Sequence, residues 1–177
     1  ALQRLPVDVP CRVLDLGAGS GCIGITIAAE RPQAQVTLVD ASQAALEIVR
    51  TNAAQWAPAN TTLLHSDWYS AVANERFDLI VANPPYVAEG DAHLQQGDLR
   101  FEPHSALASG VDGLSDLQQI IAQAPQHLRA GGWLLLEHGF DQAVACAWLL
   151  EAAGFQEVFN TRDLADIPRV SGGRLEL

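Results

Sequence analysis

The segment with the most unusual chemistry is Asn83-Pro84-Pro85-Tyr86, which follows the apolar run FDLIVA. Each proline fixes its own φ and lacks a backbone donor, and a residue before proline is pushed away from helical dihedrals. The segment is therefore predicted to be stiff and extended, with free carbonyl groups. The Asn83 side-chain oxygen and the Pro84 carbonyl would suit one planar NH2 group, with Tyr86 against its face. We assign the whole tetrad to catalysis on an amide or aromatic amine; a rigid strand-end turn is the alternative.

A glycine-rich loop, Asp15-Leu16-Gly17-Ala18-Gly19-Ser20-Gly21, lies between a strand-like run and a helix-like run. The dinucleotide fingerprint G-x-G-x-x-G/A would place its third small residue at Cys22, but the spacing here is G-x-G-x-G, and no P-loop lysine follows. NAD and nucleoside triphosphates are therefore disfavoured. The loop is expected to hold a nucleoside ligand without phosphates, although some glycine loops are only structural turns.

Acidic residues close two further strand-like runs. Asp40 ends the second run, where a carboxylate can accept hydrogen bonds from ribose hydroxyls, unless it only caps the following helix. Asp67 could accept from an adenine amino group beside the Trp68 indole, unless Trp68 only plugs the sheet rim. S-adenosyl-L-methionine matches this description of the ligand, because its sulfonium and ammonium groups are positively charged and would be attracted to Asp15, Asp40 and Asp67. The predicted cofactor-binding residues are Asp15, Gly17, Ala18, Gly19, Ser20, Gly21, Asp40, Asp67, Trp68 and Asn83.

Apolar runs and helix-like runs alternate along the chain. Strands are predicted at Arg12–Leu16, Gln35–Val39, Thr62–His65, Phe77–Ala82, Trp133–Glu137 and Phe155–Asn160, with a last one in the tail to Leu177. Helices are predicted at Cys22–Glu30, 42–56, Leu114–Leu128 and Gln142–Ala153, and a long loop at Val87–Gly113. This alternation predicts one domain over 1–177 with a parallel sheet covered on both faces. Ligands bind at the carboxyl ends of such strands, where four of the loops should converge.

Composition narrows the classes of function. The 177 residues are 49% hydrophobic, and 21 acidic against 10 basic residues give a net charge of −11. This charge opposes direct nucleic-acid binding. No run resembles a signal peptide or a membrane span, which favours a cytoplasmic protein without membrane contact. The three cysteines form no CxxC pair, and the loop residues His93 and His104 are expected to be solvated, so no metal site is predicted. The start at Ala1 and the absence of Met suggest a processed chain or an excised domain.

Several motifs occur in a fixed order: DLGAGSG, an acid ending the next strand, DW, NPPY, EPxxAL (102–107), DGL (112–114) and EHG (137–139). This set resembles the HemK/PrmC protein-(glutamine-N(5)) methyltransferases, and the resemblance covers 12–174. It implies a class I S-adenosylmethionine-dependent methyltransferase (Rossmann-like) fold, with a seven-stranded mostly parallel sheet, one antiparallel strand and helices on both faces. It also implies methylation of the side-chain amide of the GGQ glutamine in peptide chain release factors.

The resemblance further implies that residues 17–21 and Asp40 hold the cofactor, that Trp68 packs near the adenine, and that residues 83–86 bind the glutamine amide. The family also has a helical N-terminal domain, absent here, so an isolated catalytic domain is expected. Two alternatives stay open because they share NPPY: a glutamine methyltransferase acting on a ribosomal protein, and an exocyclic-amine nucleic-acid methyltransferase. A cofactor-binding module without activity is the alternative from another class.

Overall fold

Seven strands form one sheet at the centre of the molecule. The structure is a computed structural model that describes residues 1–57, 59–90, 107 and 109–176. In chain order the strands are β1 (Cys11–Leu16), β2 (Ala34–Asp40), β3 (Thr61–His65), β4 (Phe77–Ala82), β5 (Leu128–Glu137), β6 (Phe155–Arg162) and β7 (Pro168–Leu175). The helices are α1 (Cys22–Glu30), α2 (Gln43–Trp56), α3 (Ser115–His127) and α4 (Ala143–Ala152), with short 3-10 turns at Leu2–Arg4 and Ser70–Val72.

The spatial order of the strands is β3-β2-β1-β4-β5-β7-β6. Within the described part of the chain, β7 runs antiparallel to both of its neighbours, and the pairs from β3 to β5 are parallel. The prediction of a mostly parallel seven-stranded sheet with one antiparallel strand is confirmed.

Helices cover both faces of the sheet. On one face, side chains of α1 and α2 such as Ile25 and Val49 pack with Val13 of β1. On the other face, side chains of α3 and α4 such as Ile120 and Leu150 pack with Leu14, the next residue of β1. Successive strand residues point to opposite faces, so a sheet covered twice needs apolar residues at nearly every position. This is why the central strands β1, β2 and β4 are nearly continuous apolar runs rather than alternating ones.

Strand β5 begins at Leu128, five residues earlier than the predicted start at Trp133. The pairing with β4 shifts register between the pairs Phe77–Leu128 and Leu79–Trp133, and Gly131 has φ +75°. A glycine inside a strand commonly marks such a bulge. Residues 129–132 therefore form an irregular part of the strand, whereas the sequence predicted them to lie between a helix ending at Leu128 and a strand beginning at Trp133.

Register places the chemically important loops at one edge of the sheet. Leu16, the last residue of β1, pairs with Val39 of β2 and with Ala82 of β4. The glycine loop and the Asn-Pro-Pro-Tyr segment therefore begin on adjacent strands, about 5 Å apart. Most of the predicted loop at Val87–Gly113 lies outside the described residues, and so do residues 102–106 of the EPxxAL motif.

Candidate functional site

The glycine loop is closed by hydrogen bonds within the protein. Gly17, Gly19 and Gly21 have φ of +66°, +58° and +82°, a region that favours glycine. The Ala18 N–H donates to the Val39 carbonyl at 3.0 Å, and the Gly21 N–H to the Ala18 carbonyl at 2.7 Å. Because these amides already have partners, the loop does not present them as a cradle for phosphate. This agrees with the predicted ligand without phosphates.

Asp40 fastens the glycine loop to the end of β2. Its Oδ2 accepts from the Gly19 N–H at 2.8 Å, and its Oδ1 accepts from the Ser42 N–H at 2.7 Å. The cap of α2 is Ser42, whose Oγ accepts from the Ala45 N–H at 3.2 Å. Asp40 is thus a loop anchor rather than the helix cap. Each carboxylate oxygen keeps acceptor capacity, so its predicted contact with ribose hydroxyls is compatible with this role.

Asp15 lies beneath the start of α1. Its side chain is 1% exposed, and its Oδ2 accepts from the Gly24 N–H at 2.8 Å. Burial raises the pKa of this carboxyl to about 7, the Gly24 hydrogen bond opposes the rise, and the Asp40 charge adds to it. A Cβ on Gly24 would lie only 2.8 Å from Asp15 Oδ2, so a larger residue at position 24 would displace the Asp15 side chain. Its predicted contact with the cofactor stays a prediction.

Trp68 covers Gly17. Its Cζ3 lies 3.3 Å from where a Cβ on Gly17 would stand, so two predicted site residues come together. Trp68 has φ +43°, and Ser66 supports this turn: its Oγ donates to the Trp68 carbonyl at 2.8 Å and accepts from the Ala71 N–H at 3.0 Å. The indole also packs against the apolar core, as the rim-plug alternative requires. The exposed side chain of Asp67 points to no single role.

The Asn-Pro-Pro-Tyr segment leaves β4 with its first side chain in solvent. Asn83 is exposed, Pro84 is buried, and Pro85 and Tyr86 are half-buried. Tyr86 packs against the core, and burial together with the Glu137 charge raises the pKa of its phenol. Asn83 is therefore open to solvent on a segment whose later residues are held by packing.

Gln142 was not among the predicted site residues, yet it joins three of the quoted motifs. Its Nε2 donates to the Tyr86 carbonyl at 3.0 Å and to the Gly113 carbonyl at 3.2 Å, and its Oε1 accepts from the Gly139 N–H at 2.8 Å. These partners belong to NPPY, DGL and EHG. The sequence showed Gln142 only as the first residue of a predicted helix.

His138 is buried and hydrogen-bonded within the protein. Its Nδ1 lies 2.8 Å from the Gly139 carbonyl, and its Nε2 lies 2.9 Å from Ser171 Oγ and 3.2 Å from Asn160 Nδ2. With the proton on Nδ1, every contact pairs a donor with an acceptor. The ring thus ties the loop after β5 to β6 and β7.

Among the described residues, no group of three or more His, Cys, Asp or Glu is placed to hold a metal ion. The cysteines are free: Cys11 and Cys146 are buried and Cys22 is exposed. No helix among the residues that the structure describes is long and apolar enough to cross a membrane.

Curated relatives match nearly the whole chain. A protein of Xylella fastidiosa (strain Temecula1) is 54% identical over 174 residues, which are 98% of this chain and 63% of the relative. One of Bordetella pertussis is 53% identical over 176 residues, which are 99% of this chain and 65% of the relative. Both are named release factor glutamine methyltransferase. The chain spans a little under two thirds of the length of these relatives.

Solved structures show the same fold. A methyltransferase from Pyrococcus furiosus has a TM-score of 0.74 at 16% identity, covering 97% of this chain and 78% of that one. The T. thermophilus 16S rRNA N2 G1207 methyltransferase, in complex with AdoMet and guanosine, has a TM-score of 0.67 at 24% identity, covering 96% of this chain and 38% of that one. The fold is the Rossmann-like fold of class I S-adenosylmethionine-dependent methyltransferases. The family model of the methyltransferase small domain matches residues 1–101, more than half of the chain, and the chain belongs to that family.

Proposed function

We propose that this chain binds S-adenosyl-L-methionine and methylates the side-chain amide nitrogen of a protein glutamine. One observation carries the proposal: β1 and β4 are neighbours whose ends are in register at Leu16 and Ala82. A cofactor loop and an amide-binding segment thus begin side by side. Proximity of this kind is what a transfer between two bound reactants requires.

The cofactor side suits a cationic nucleoside. The acids Asp15, Asp40 and Asp67 lie in or next to the loops at this edge, while three amides of the glycine loop, those of residues 18, 19 and 21, have partners within the protein. Residues 17–21 and Asp40 would hold the nucleoside, and Trp68 would lie near its base. When bound, S-adenosyl-L-methionine supplies an electrophilic methyl group on a positively charged sulfur.

The amide side positions the nucleophile. The Asn83 side-chain oxygen and the Pro84 carbonyl accept hydrogen bonds from the two N–H groups of the glutamine amide, and Tyr86 lies against the amide plane. This arrangement turns the nitrogen lone pair toward the methyl group. In the transfer, a carbon–nitrogen bond would form as the carbon–sulfur bond breaks with its electron pair leaving on sulfur, and the amide nitrogen would release one proton to solvent water. Orientation supplies most of the rate, since effective molarities are worth roughly 7–11 kcal/mol.

The proposed substrate is the glutamine of the GGQ motif in peptide chain release factors. Support comes from relatives at 54% and 53% identity named for release factor glutamine methylation, and from the set NPPY, DGL and EHG. The net charge of −11 disfavours a nucleic-acid substrate. The proposal therefore places the reaction in the cytoplasm, where the chain would act on a soluble translation factor.

The test is a transfer assay with the 177-residue chain and methyl-labelled S-adenosyl-L-methionine. A purified bacterial release factor is offered beside the same factor with its GGQ glutamine replaced by alanine. We expect label in the first only, at that glutamine by peptide mass spectrometry. Label in ribosomal protein, ribosomal RNA or DNA offered in parallel would establish one of the alternatives. Calorimetric titration with NAD should show no binding, against micromolar binding of S-adenosyl-L-methionine.

A further inference from the structure

Gln142 is buried where three separate segments meet. The Gln142 side chain is 7% exposed, and its single amide group makes the three hydrogen bonds to Tyr86, Gly113 and Gly139. All three partners are backbone groups, two carbonyls and one N–H. A glutamine amide is the right group for them because it offers donors at one end and an acceptor at the other.

The glycines at this junction leave room for the amide. A Cβ on Gly113 would lie 2.4 Å from the Tyr86 carbonyl oxygen and 2.8 Å from Gln142 Nε2. A Cβ on Gly139 would lie 3.0 Å from Gln142 Oε1. Two of the motifs thus place a glycine beside the same side chain, which explains these glycines without reference to a ligand.

We infer that Gln142 is a positioning residue for methyl transfer, acting by fixing the far end of the Asn-Pro-Pro-Tyr segment; this rests on the proposed function. At its near end the segment is joined to Ala82, which is paired in the sheet. At its far end the Tyr86 carbonyl is held by Gln142. The prolines between make the segment stiff, so holding both ends sets the direction of Asn83. The glycine loop follows β1, whereas Gln142 precedes α4 after β5, and β4 lies between these two strands in the sheet.

The inference is tested in the 177-residue chain with two substitutions. Gln142→Met keeps the length of the side chain and removes all three hydrogen bonds. Gln142→Glu keeps the acceptor for Gly139 and loses the donors to Tyr86 and Gly113. The matched control is Gln119→Met, on the exposed face of α3. The measurements are the affinity for S-adenosyl-L-methionine, kcat and KM for release factor, and backbone hydrogen exchange.

We expect kcat to fall about 10–100-fold in both variants, because small misplacements of bound reactants cost this much. Cofactor affinity and the exchange of the Gly19 amide should stay at the wild-type values. Exchange at the Tyr86 and Val87 amides should become faster. Gln119→Met should match the wild type throughout.

Three results would overturn the inference: unchanged kcat, unchanged exchange at Tyr86 and Val87, or a loss of cofactor affinity as large as the loss of kcat. If Gln142→Met does not fold, Gln142→Glu decides the question alone. A result that contradicts the proposed function can be told apart from these three. In that case the wild type itself transfers no methyl group to glutamine, and hydrogen exchange still reports whether Gln142 fixes the segment.

Discussion

The two halves of the candidate site are held by opposite kinds of groups. On the cofactor side, the carboxylates of Asp15 and Asp40 accept hydrogen bonds from the Gly24, Gly19 and Ser42 amides. On the amide side, the neutral Gln142 donates to two carbonyls, and prolines stiffen the chain. Carboxyl groups therefore serve as scaffold in one half, and a neutral amide serves as scaffold in the other.

This difference suits the two proposed reactants. A cationic cofactor gains from a carboxylate such as Asp40 that backbone amides already hold in place, since a fixed charge needs no reorganisation on binding. A glutamine amide is neutral, and a strongly charged site would bind ligands of the opposite charge in preference to it. The comparison predicts that changes of pH or of a carboxylate affect the cofactor side. Substitutions that alter the position of the Asn-Pro-Pro-Tyr segment should affect the amide side.

The largest expected effect is a pH dependence of stability set by Asp15. Its pKa is about 7 in the folded protein and about 3.9 in an unfolded chain. Between these values the folded state holds a proton that the unfolded state has released, so the free energy of unfolding falls as pH rises from 4 to 7. The full shift corresponds to about 4 kcal/mol. Asp15→Asn keeps the acceptor for Gly24 and should flatten this slope in urea unfolding.

The exposed Asp8→Asn serves as its control and should keep the wild-type slope. Gln142→Met should also keep it, because that half of the site titrates no scaffold group. An Asp15→Asn protein with the wild-type slope would show that the Asp15 carboxyl has an ordinary pKa.

The next effect is on turnover. Asn83→Ala should lower kcat by about 10²–10³-fold, the usual cost of losing one positioned polar group. Cofactor affinity should stay within about tenfold, because the proposed partner of Asn83 is the substrate amide. Asn74→Ala, at another exposed asparagine, is the control. Normal turnover with a large loss of cofactor affinity would move Asn83 to the cofactor side.

Asp40→Ala should weaken the binding of S-adenosyl-L-methionine by about 1.5–3 kcal/mol, because charge-assisted hydrogen bonds to the cofactor are lost. Calorimetric titration measures this change. Asp8→Ala, which removes one exposed negative charge elsewhere, should leave the dissociation constant unchanged. An unchanged constant in Asp40→Ala would mean that Asp40 only anchors the loop.

The smallest expected effect is a difference between two glycines. Gly113 and Gly19 have φ of +73° and +58°, so alanine meets a similar backbone cost of about 1–2 kcal/mol at either. A Cβ at Gly19 would meet nothing within 4 Å, whereas at Gly113 it would meet the Tyr86 carbonyl. Gly113→Ala should therefore lose about 1–3 kcal/mol more unfolding free energy than Gly19→Ala. Equal losses of unfolding free energy in the two variants would show that the backbone around Gln142 shifts at little cost to make room for the added methyl group.

Much of this architecture is predictable from local sequence. Apolar runs indicate the strands, and the rule that ligands bind at carboxyl ends of parallel strands brings residues 17–21 and 83–86 together. What local sequence does not show is contact across long separations. Gln142 and Tyr86 are 56 positions apart, and nothing around Gln142 distinguishes it from an ordinary helix start. The bulge at 129–132 is hidden for a related reason, because glycines favour a loop until the pairing partner on β4 is known.

The indole of Trp68 has a practical consequence. Its six-membered ring rests on Gly17, at the entrance of the glycine loop, while Trp56 and Trp148 are 66% and 67% exposed on helices. A ligand settling on that loop would alter the surroundings of Trp68 more than those of exposed Trp148, or of Trp133, which packs against Phe159. Emission from the unlabelled chain can therefore follow the filling of the site in real time, with Trp68→Phe as the silent reference.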